Sequence, residues 1–318
     1  MGSKTRSAER SNDFPEGILY MKRAITVVLT LVTALCVCMV LSGCSSTEYT
    51  PEKKQQTVKD SALNSSGTLR VGVDASSAPY AAESSGQIVG IEVDVAAALA
   101  DELGLKLELV DVGTNSAKAF TDENVDIVMG VESQNSAYWL SDAYMTSAVA
   151  LFSTDKNAKA PTEAGSFKIA AQSSSMSAWE VTDTYGESVL SSSPDLQTAF
   201  TSLQNKSVNF VAADSTIGAY VAHSSGASVY PVALLQDTIT YGIAVKSSNT
   251  ELQSAVKQAL STINKNGIVT VVMNKWLGES VDISSLPTVK KPESTTTDEA
   301  KEEDLTGGNT ETNNTRAA

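Results

Sequence analysis

A chain of 318 residues, 42% hydrophobic, 6% aromatic and 19% charged, carries enough apolar side chains for one large domain or two modest ones. Its formal net charge of -14 argues against a nucleic-acid surface, which needs basic groups to displace counterions, and against a polybasic membrane-surface mode. The single histidine, His223, argues against most zinc sites and against any catalytic set that uses two histidines.

The chain opens with an address. Lys22 and Arg23 precede an apolar run over residues 24–41, followed by small residues, which is the layout of a secretory signal. The bland alternative is a single membrane anchor, since such a run is barely long enough to span a bilayer. The ending Leu41-Ser42-Gly43-Cys44 resembles the lipobox of bacterial lipoproteins. That resemblance implies cleavage before Cys44, lipidation of its sulfur, and attachment to the extracytoplasmic face of the cell membrane. Met21 is a candidate start, which would leave residues 1–20 untranslated. Cys36 and Cys38 lie inside the apolar run, so the exported chain has no disulfide to form.

Polar composition makes residues 45–66 a disordered tether. Residues 287–318 read as a disordered acidic tail, too poor in apolar side chains to offset the entropy of ordering. Between them short β-branched runs alternate with helical patterns. Strands are expected over 68–73, 105–112, 125–130, 167–171, 208–213 and 241–245. Helices are expected over 92–103, with Val93, Ala96, Ala97 and Ala100 on its buried face, and over 116–121, 175–185, 195–203, 215–222 and 251–266, with a short one ending near Trp276. This alternation implies parallel sheets flanked by helices. Two such sets, joined near 153–157 and again near 236–240, place a first lobe over 67–153 and 239–286 and a second over 154–238.

The segments Gly67-Thr-Leu-Arg-Val-Gly-Val-Asp74, Pro79-Tyr80 and Gln87-Ile-Val-Gly-Ile-Glu-Val-Asp94 resemble the bacterial extracellular solute-binding proteins of family 3, the polar amino acid type serving ABC importers. So do Val125-Asp126 with Gly130, Phe167-Lys-Ile-Ala-Ala-Gln172, Ala212-Ala-Asp214, Tyr241-Gly-Ile-Ala-Val-Lys246, and the ending from Asn264 through Lys275-Trp276-Leu-Gly278. The ordered set, more than any one piece, carries the resemblance. It implies a two-lobe periplasmic-binding-protein type II α/β fold, each lobe a mostly parallel sheet flanked by helices, joined by two hinge strands. It implies a monomer that closes on a small solute, an amino acid or amine, and then docks on a membrane permease, with no cofactor, metal or catalysis.

Carried over residue by residue, Tyr80 packs against the solute and Asp74 meets a cationic group, or merely forms a turn. Ser175 and Met176 stand where a helix start would take a carboxylate, and Asp214 where an ammonium group would be accepted, or where a helix is simply capped. One departure stands out. The arginine that clamps the solute carboxylate in the family has no counterpart after Gly130, and the sole arginine between residues 61 and 285 is Arg70, early in the first strand. In its place stand Glu132, Tyr138 and Trp139, which with Asp74, Asp214 and Tyr80 would favour a cation through charge and ring faces, although Trp139 could equally be core and Glu132 solvated. An ordinary amino acid would instead be held by Ser133, Ser175 and backbone donors. Two other readings remain open to such a chain: a sensor or scaffold lipoprotein that does not serve transport, and a dehydratase on the same fold.

Overall fold

Every second residue of the first strand is apolar and buried (Leu69, Val71, Val73), while Arg70 points outward, as the period of a pleated strand requires. From this strand the chain builds two large sheets and a small three-stranded one, seen in a computed structural model that describes residues 54–114, 116–133, 137–162, 165–279 and 282–289. In chain order the elements are β1 (Thr68–Val73), β2 (Ser76–Ser77), β3 (Ala81–Ser84), β4 (Gln87–Val89), α1 (Ile91–Leu103), β5 (Lys106–Asp111), α2 (Ser116–Asp122), β6 (Ile127–Glu132), β7 (Trp139–Leu140) and β8 (Met145–Ser147). Then come β9 (Val149–Ser153), β10 (Ile169–Gln172), α3 (Met176–Tyr185), β11 (Leu190–Ser193), α4 (Leu196–Gln204), β12 (Phe210–Asp214), α5 (Ser215–Ser225) and β13 (Tyr230–Leu234). The last regular elements are β14 (Ile239–Val245), α6 (Thr250–Lys265) and α7 (Ile268–Leu277).

The small sheet runs β2-β3-β4. Of the large ones, the first runs β5-β1-β6-β14-β7, with β8 also paired to β14, and the second runs β11-β10-β12-β9-β13. In each the central strands are parallel and the strands nearest the crossovers are antiparallel. In the first lobe α1, α6 and α7 cover the sheet; Trp276 donates its ring N–H to Asp94 at 2.7 Å and Lys275 pairs with the same carboxylate at 2.6 Å, fixing α7 to α1. In the second lobe alternate residues of β9 and β12 enter opposite cores. Ala150, Phe152, Val211 and Ala213 face α4 and α5, while Val149, Leu151 and Ala212 face α3. Phe152 and Phe200 meet edge to face at 5.5 Å. Each such fully buried large side chain stabilises the fold by about 1.5–3 kcal/mol.

Four expectations change. Val149–Ser153 pairs with β12 and β13, so the first crossover lies at Ala148, between β8 and β9, and the second lobe begins about five residues earlier than the sequence suggested. A wholly apolar strand gives no cue to the sheet it will join; only its hydrogen-bond partners decide. The return crossover lies between Leu234 and Ile239, and the NH of Leu235 donating to Val149 O at 2.8 Å ties the two crossings together. Second, residues 54–66 do not behave as a tether. Val58 is buried in the first lobe, the NH of Thr57 donates to Leu103 O at 3.0 Å, and Asp60, opening a short 3-10 turn, accepts from Ser66 Oγ at 2.6 Å.

Third, residues 283–289 dock on the second lobe rather than the first, and 287–289 are ordered along β13. Fourth, the buried face of α1 is Ile91, Glu92, Val95, Ala96, Leu99, Ala100 and Leu103, rotated from the expected one; Val93 is half-buried and Ala97 exposed. No helix among the described residues is long and apolar enough to cross a membrane. The apolar run 24–41, Cys44 and residues 290–318 lie outside the described residues.

Candidate functional site

In sheets of this kind, ligand-binding groups collect beyond the carboxyl ends of the strands. Here those ends carry Asp74 after β1, Glu132 closing β6, Ser175 after β10 and Asp214 closing β12. The two lobes touch at this edge. The Tyr80 hydroxyl of the first lobe donates to Asp214 Oδ1 of the second at 3.2 Å. Tyr80 is set in place by the start of α1: Pro79 O and Tyr80 O accept from the first N–H groups of that helix, Ile91 and Glu92, at 2.9 and 3.0 Å. This close approach needs Gly90, where a Cβ would lie 2.2 Å from Tyr80 O.

Asp214 has three further hydrogen-bond donors around it. Its Oδ1 accepts from the N–H groups of Thr216 and Ile217 at 2.9 Å each, capping α5, and its Oδ2 accepts from Ser147 Oγ at 2.7 Å. Ser147 ends β8, immediately before the crossover, and also bonds Ser215 Oγ at 2.9 Å. The carboxylate is therefore held between the hinge and the first lobe. The capping role weighed from the sequence is present, and the contact with Tyr80 is present with it.

Below Tyr80 lies a group that the sequence reading passed over. Glu92 is 6% exposed; its Oε1 accepts from the Tyr144 hydroxyl at 3.4 Å, and that hydroxyl in turn accepts from Gly130 N at 2.9 Å. Burial pushes the Glu92 carboxyl up to about 7; the Tyr144 hydrogen bond opposes the rise and the charge of Asp74 adds to it. Gly130 has φ +68°, and a Cβ there would lie 2.2 Å from Glu92 Oε1, so glycine is required both by the backbone and by the acid beneath it.

The Tyr241 ring lies 6.3 Å from that of Tyr80. Burial raises its phenol above the ordinary value, and so do the nearby charges of Asp214, Glu132 and Glu92. The Tyr80 phenol is raised too, first by burial and then by Asp214. Three carboxylates from both lobes thus act on one phenol, and Asp74 acts on Glu92. An acid in the first turn of a helix usually faces solvent; the flanking apolar residues Ile91 and Val95 were the one sequence signal that Glu92 faces inward.

Other expected residues lie apart from this cluster or serve locally. Asp74 accepts from Ser76 N at 3.1 Å and Ser76 Oγ at 2.6 Å, an Asx-type turn. Glu132 is exposed and stands opposite Tyr241 in the pairing of β6 with β14. Ser133 is exposed and accepts from Thr240 Oγ1 at 2.8 Å. Trp139 is half-buried and packs on the first lobe's core, with Val245 as its strand partner. Ser175 accepts from Ala178 N at 3.1 Å, capping α3, and Met176 is 65% exposed at that helix start.

Arg70 donates to Asn124 O at 3.1 Å and pairs with Glu108 on the neighbouring strand, away from the carboxyl ends. Among the described residues no group of three or more His, Cys, Asp or Glu side chains is arranged to hold a metal ion.

Comparison with known proteins agrees with this architecture. An ancestral cationic amino acid solute-binding protein shares 26% identity, covering 66% of this chain and 96% of its own, with a TM-score of 0.53. A polar amino acid ABC uptake transporter substrate-binding protein from Streptococcus thermophilus shares 17% identity over 71% of this chain and 91% of its own, with a TM-score of 0.62. The L-cystine solute receptor of Neisseria gonorrhoeae, unliganded and open, shares 20% identity over 70% and 97%, with a TM-score of 0.58. The fold is the two-lobe type II arrangement of periplasmic binding proteins. Residues 69–279 match the family model described as bacterial extracellular solute-binding proteins, family 3, and the chain belongs to that family.

Proposed function

We propose that this protein is the lipid-anchored receptor of an ABC importer, and that it captures an amino acid or related small amine by closing its lobes. The observation that carries the solute class is the placing of the Asp214 carboxylate against the Tyr80 hydroxyl at the cleft, with Tyr241 beside Tyr80 and Glu132 opposite Tyr241 in the pairing of β6 with β14, while Arg70 is engaged with Glu108. Such a site favours a positively charged group, held by Asp214 and covered by the rings of Tyr80 and Tyr241. The relative named for cationic amino acids supports the same charge preference. Where the solute also carries a carboxylate, the N-terminal end of α3 at Ser175 and Met176 receives it through helix N–H groups and the positive end of the helix dipole.

Closure then exchanges the solute's water for fixed hydrogen bonds, and the closed form presents both lobes to the permease. The protein carries out no chemistry on what it holds. The lipid on Cys44 keeps it at the outer face of the membrane, close to its partner.

A thermal-shift panel on the chain from residue 44 onward, with Cys44→Ser, tests the solute. It sets neutral, acidic and basic amino acids against polyamines and quaternary amines. A solute at a hundred times its dissociation constant adds about 2.7 kcal/mol, a rise of roughly 5–10 °C for a domain of this size. Shifts with basic amino acids or amines support the reading. Shifts confined to acidic solutes contradict the charge argument, and silence across the panel moves the protein to the scaffold reading. Incorporation of labelled fatty acid, lost in Cys44→Ser, tests the anchor.

A further inference from the structure

The polypeptide passes between the lobes a third time. α7 ends at Leu277 in the first lobe, where Gly278 lies so close to the His223 ring of α5 that a Cβ would sit 2.8 Å from Nδ1. From Asp282 the backbone lies on the second lobe. Ile283 is 8% exposed within the core that holds Phe152 and Leu234, and Leu286 packs against the same cluster. The Leu234 N–H donates to Pro287 O at 2.9 Å, and the Val289 N–H donates to Leu234 O at 2.8 Å, so residues 287–289 run parallel to the outer edge of β13. This docked segment lies beyond residue 279, where the family match ends.

We propose that the docked segment 282–289 is a strap that limits how far the lobes open. Its root moves with the first lobe, because Trp276 and Lys275 fix α7 to Asp94 of α1. Its far end moves with the second lobe, because Ile283 is buried there and two backbone hydrogen bonds hold residues 287–289. Six residue steps separate Leu277 from Ile283, at most about 20 Å of extended chain.

The strap also walls a hollow of about 440 Å³ whose other sides come from both lobes: Thr146 and Met273 of the first, Ala219 and His223 of the second. Rotation about the crossovers changes the shape of this hollow. An opening that would carry Ile283 more than about 20 Å from Leu277 has to pull it out of its core. The strap adds to contacts that already join the lobes, Tyr80 with Asp214 at the cleft and Trp276 of α7 beside Tyr220 of α5, ring centres 6.3 Å apart.

The test needs no solute, so it is independent of the solute reading. In the chain from residue 44 onward with Cys44→Ser, spin labels on Glu83→Cys and Gln197→Cys, exposed positions of the first and second lobes, report the inter-lobe distance. Inserting a six-residue Gly-Ser segment after Glu279 leaves the docking residues intact and slackens the link. The expected result is a longer and broader distance distribution than in the parent, and the same shift in Ile283→Asp, where the strap detaches. A slackened chain whose distribution superimposes on the parent's overturns the proposal. Should Ile283→Asp fail to fold, the slackened chain still decides, because its core is unchanged.

Discussion

The Tyr80 hydroxyl and the Asp214 carboxylate meet at 3.2 Å, one from each lobe, and this single hydrogen bond places a phenol on the acid that also caps α5 and anchors Ser147 of the hinge. Tyr80→Phe removes the bond and leaves the ring. The expected outcome is unfolding within about 1 kcal/mol of the parent and a roughly ten- to hundredfold loss of solute affinity by calorimetry, the worth of one charge-assisted hydrogen bond. Unchanged affinity would place the solute elsewhere.

Asp214 combines a structural and a functional role, and two substitutions separate them. Asp214→Ala loses the cap of α5 and should cost about 1–2 kcal/mol in urea unfolding. Asp214→Asn retains an oxygen for the N–H groups of Thr216 and Ile217 and should keep most of that stability. Both remove the charge, so both should weaken binding of a cationic solute by at least about tenfold. Binding that follows the loss of stability, present in Asn and absent in Ala, would mean that Asp214 is only a cap.

Glu92 makes stability depend on pH in a defined direction. The native carboxyl holds its proton up to about pH 7, whereas the unfolded one sheds it near its ordinary value of 4.5. Across that interval the native state binds more protons, so the contribution of this group to stability is full below the interval and is lost as pH rises through it. The loss is bounded at about 3 kcal/mol. In Glu92→Gln this component is absent. The variant should therefore gain on the parent between pH 5 and pH 8, read as the difference in urea midpoints at the two values. A constant difference would show that Glu92 does not titrate there.

Gly130→Ala should be costly for two reasons that act together. The backbone is left-handed at φ +68°, and the added Cβ falls on Glu92 Oε1. The left-handed conformation alone costs about 1–2 kcal/mol for an L-residue. Combining Gly130→Ala with Glu92→Ala should recover part of the loss, which a double-mutant cycle measures.

Val58 tests the N-terminal segment. A tether would tolerate any residue there, whereas the buried position predicts that Val58→Asp costs about 2–4 kcal/mol by placing an unpaired carboxylate in the first lobe's core. Chemical denaturation of the chain from residue 44 onward reads the difference directly.

Local pattern and tertiary structure contributed unequally to what is now clear. Thr68–Val73 was bounded correctly from alternation alone, and α1 to within one residue, because burial of one strand face and a glycine stop at Gly104 leave a one-dimensional trace. The β2–β4 ribbon left none: its strands are short, and among them Ala81 alone is buried. Residues 54–66 looked like tether because their composition is polar. Their order comes from side chains meeting distant backbone, such as Asn249 Nδ2 on Ala62 O at 2.8 Å, which composition does not encode.

The same division holds at the site. Tyr80 and Asp214 were named from their places after strands, but their contact joins positions 134 residues apart and exists only once both lobes are built. Glu92 and Tyr144 were missed because an acid on a helix and a tyrosine in a loop become a buried pair only through the packing of α1 beneath Gly130. Trp139 was named for its chemistry, and packing placed it against the core. By itself the sequence determined the alternation of strands and helices, the family and the absence of a clamping arginine, since these depend on which residues stand next to one another. Only the tertiary structure decided which carboxylates converge, which sheet takes Val149–Ser153, and that the chain crosses the hinge a third time, because proximity across the fold depends on packing and strand pairing between residues far apart in sequence.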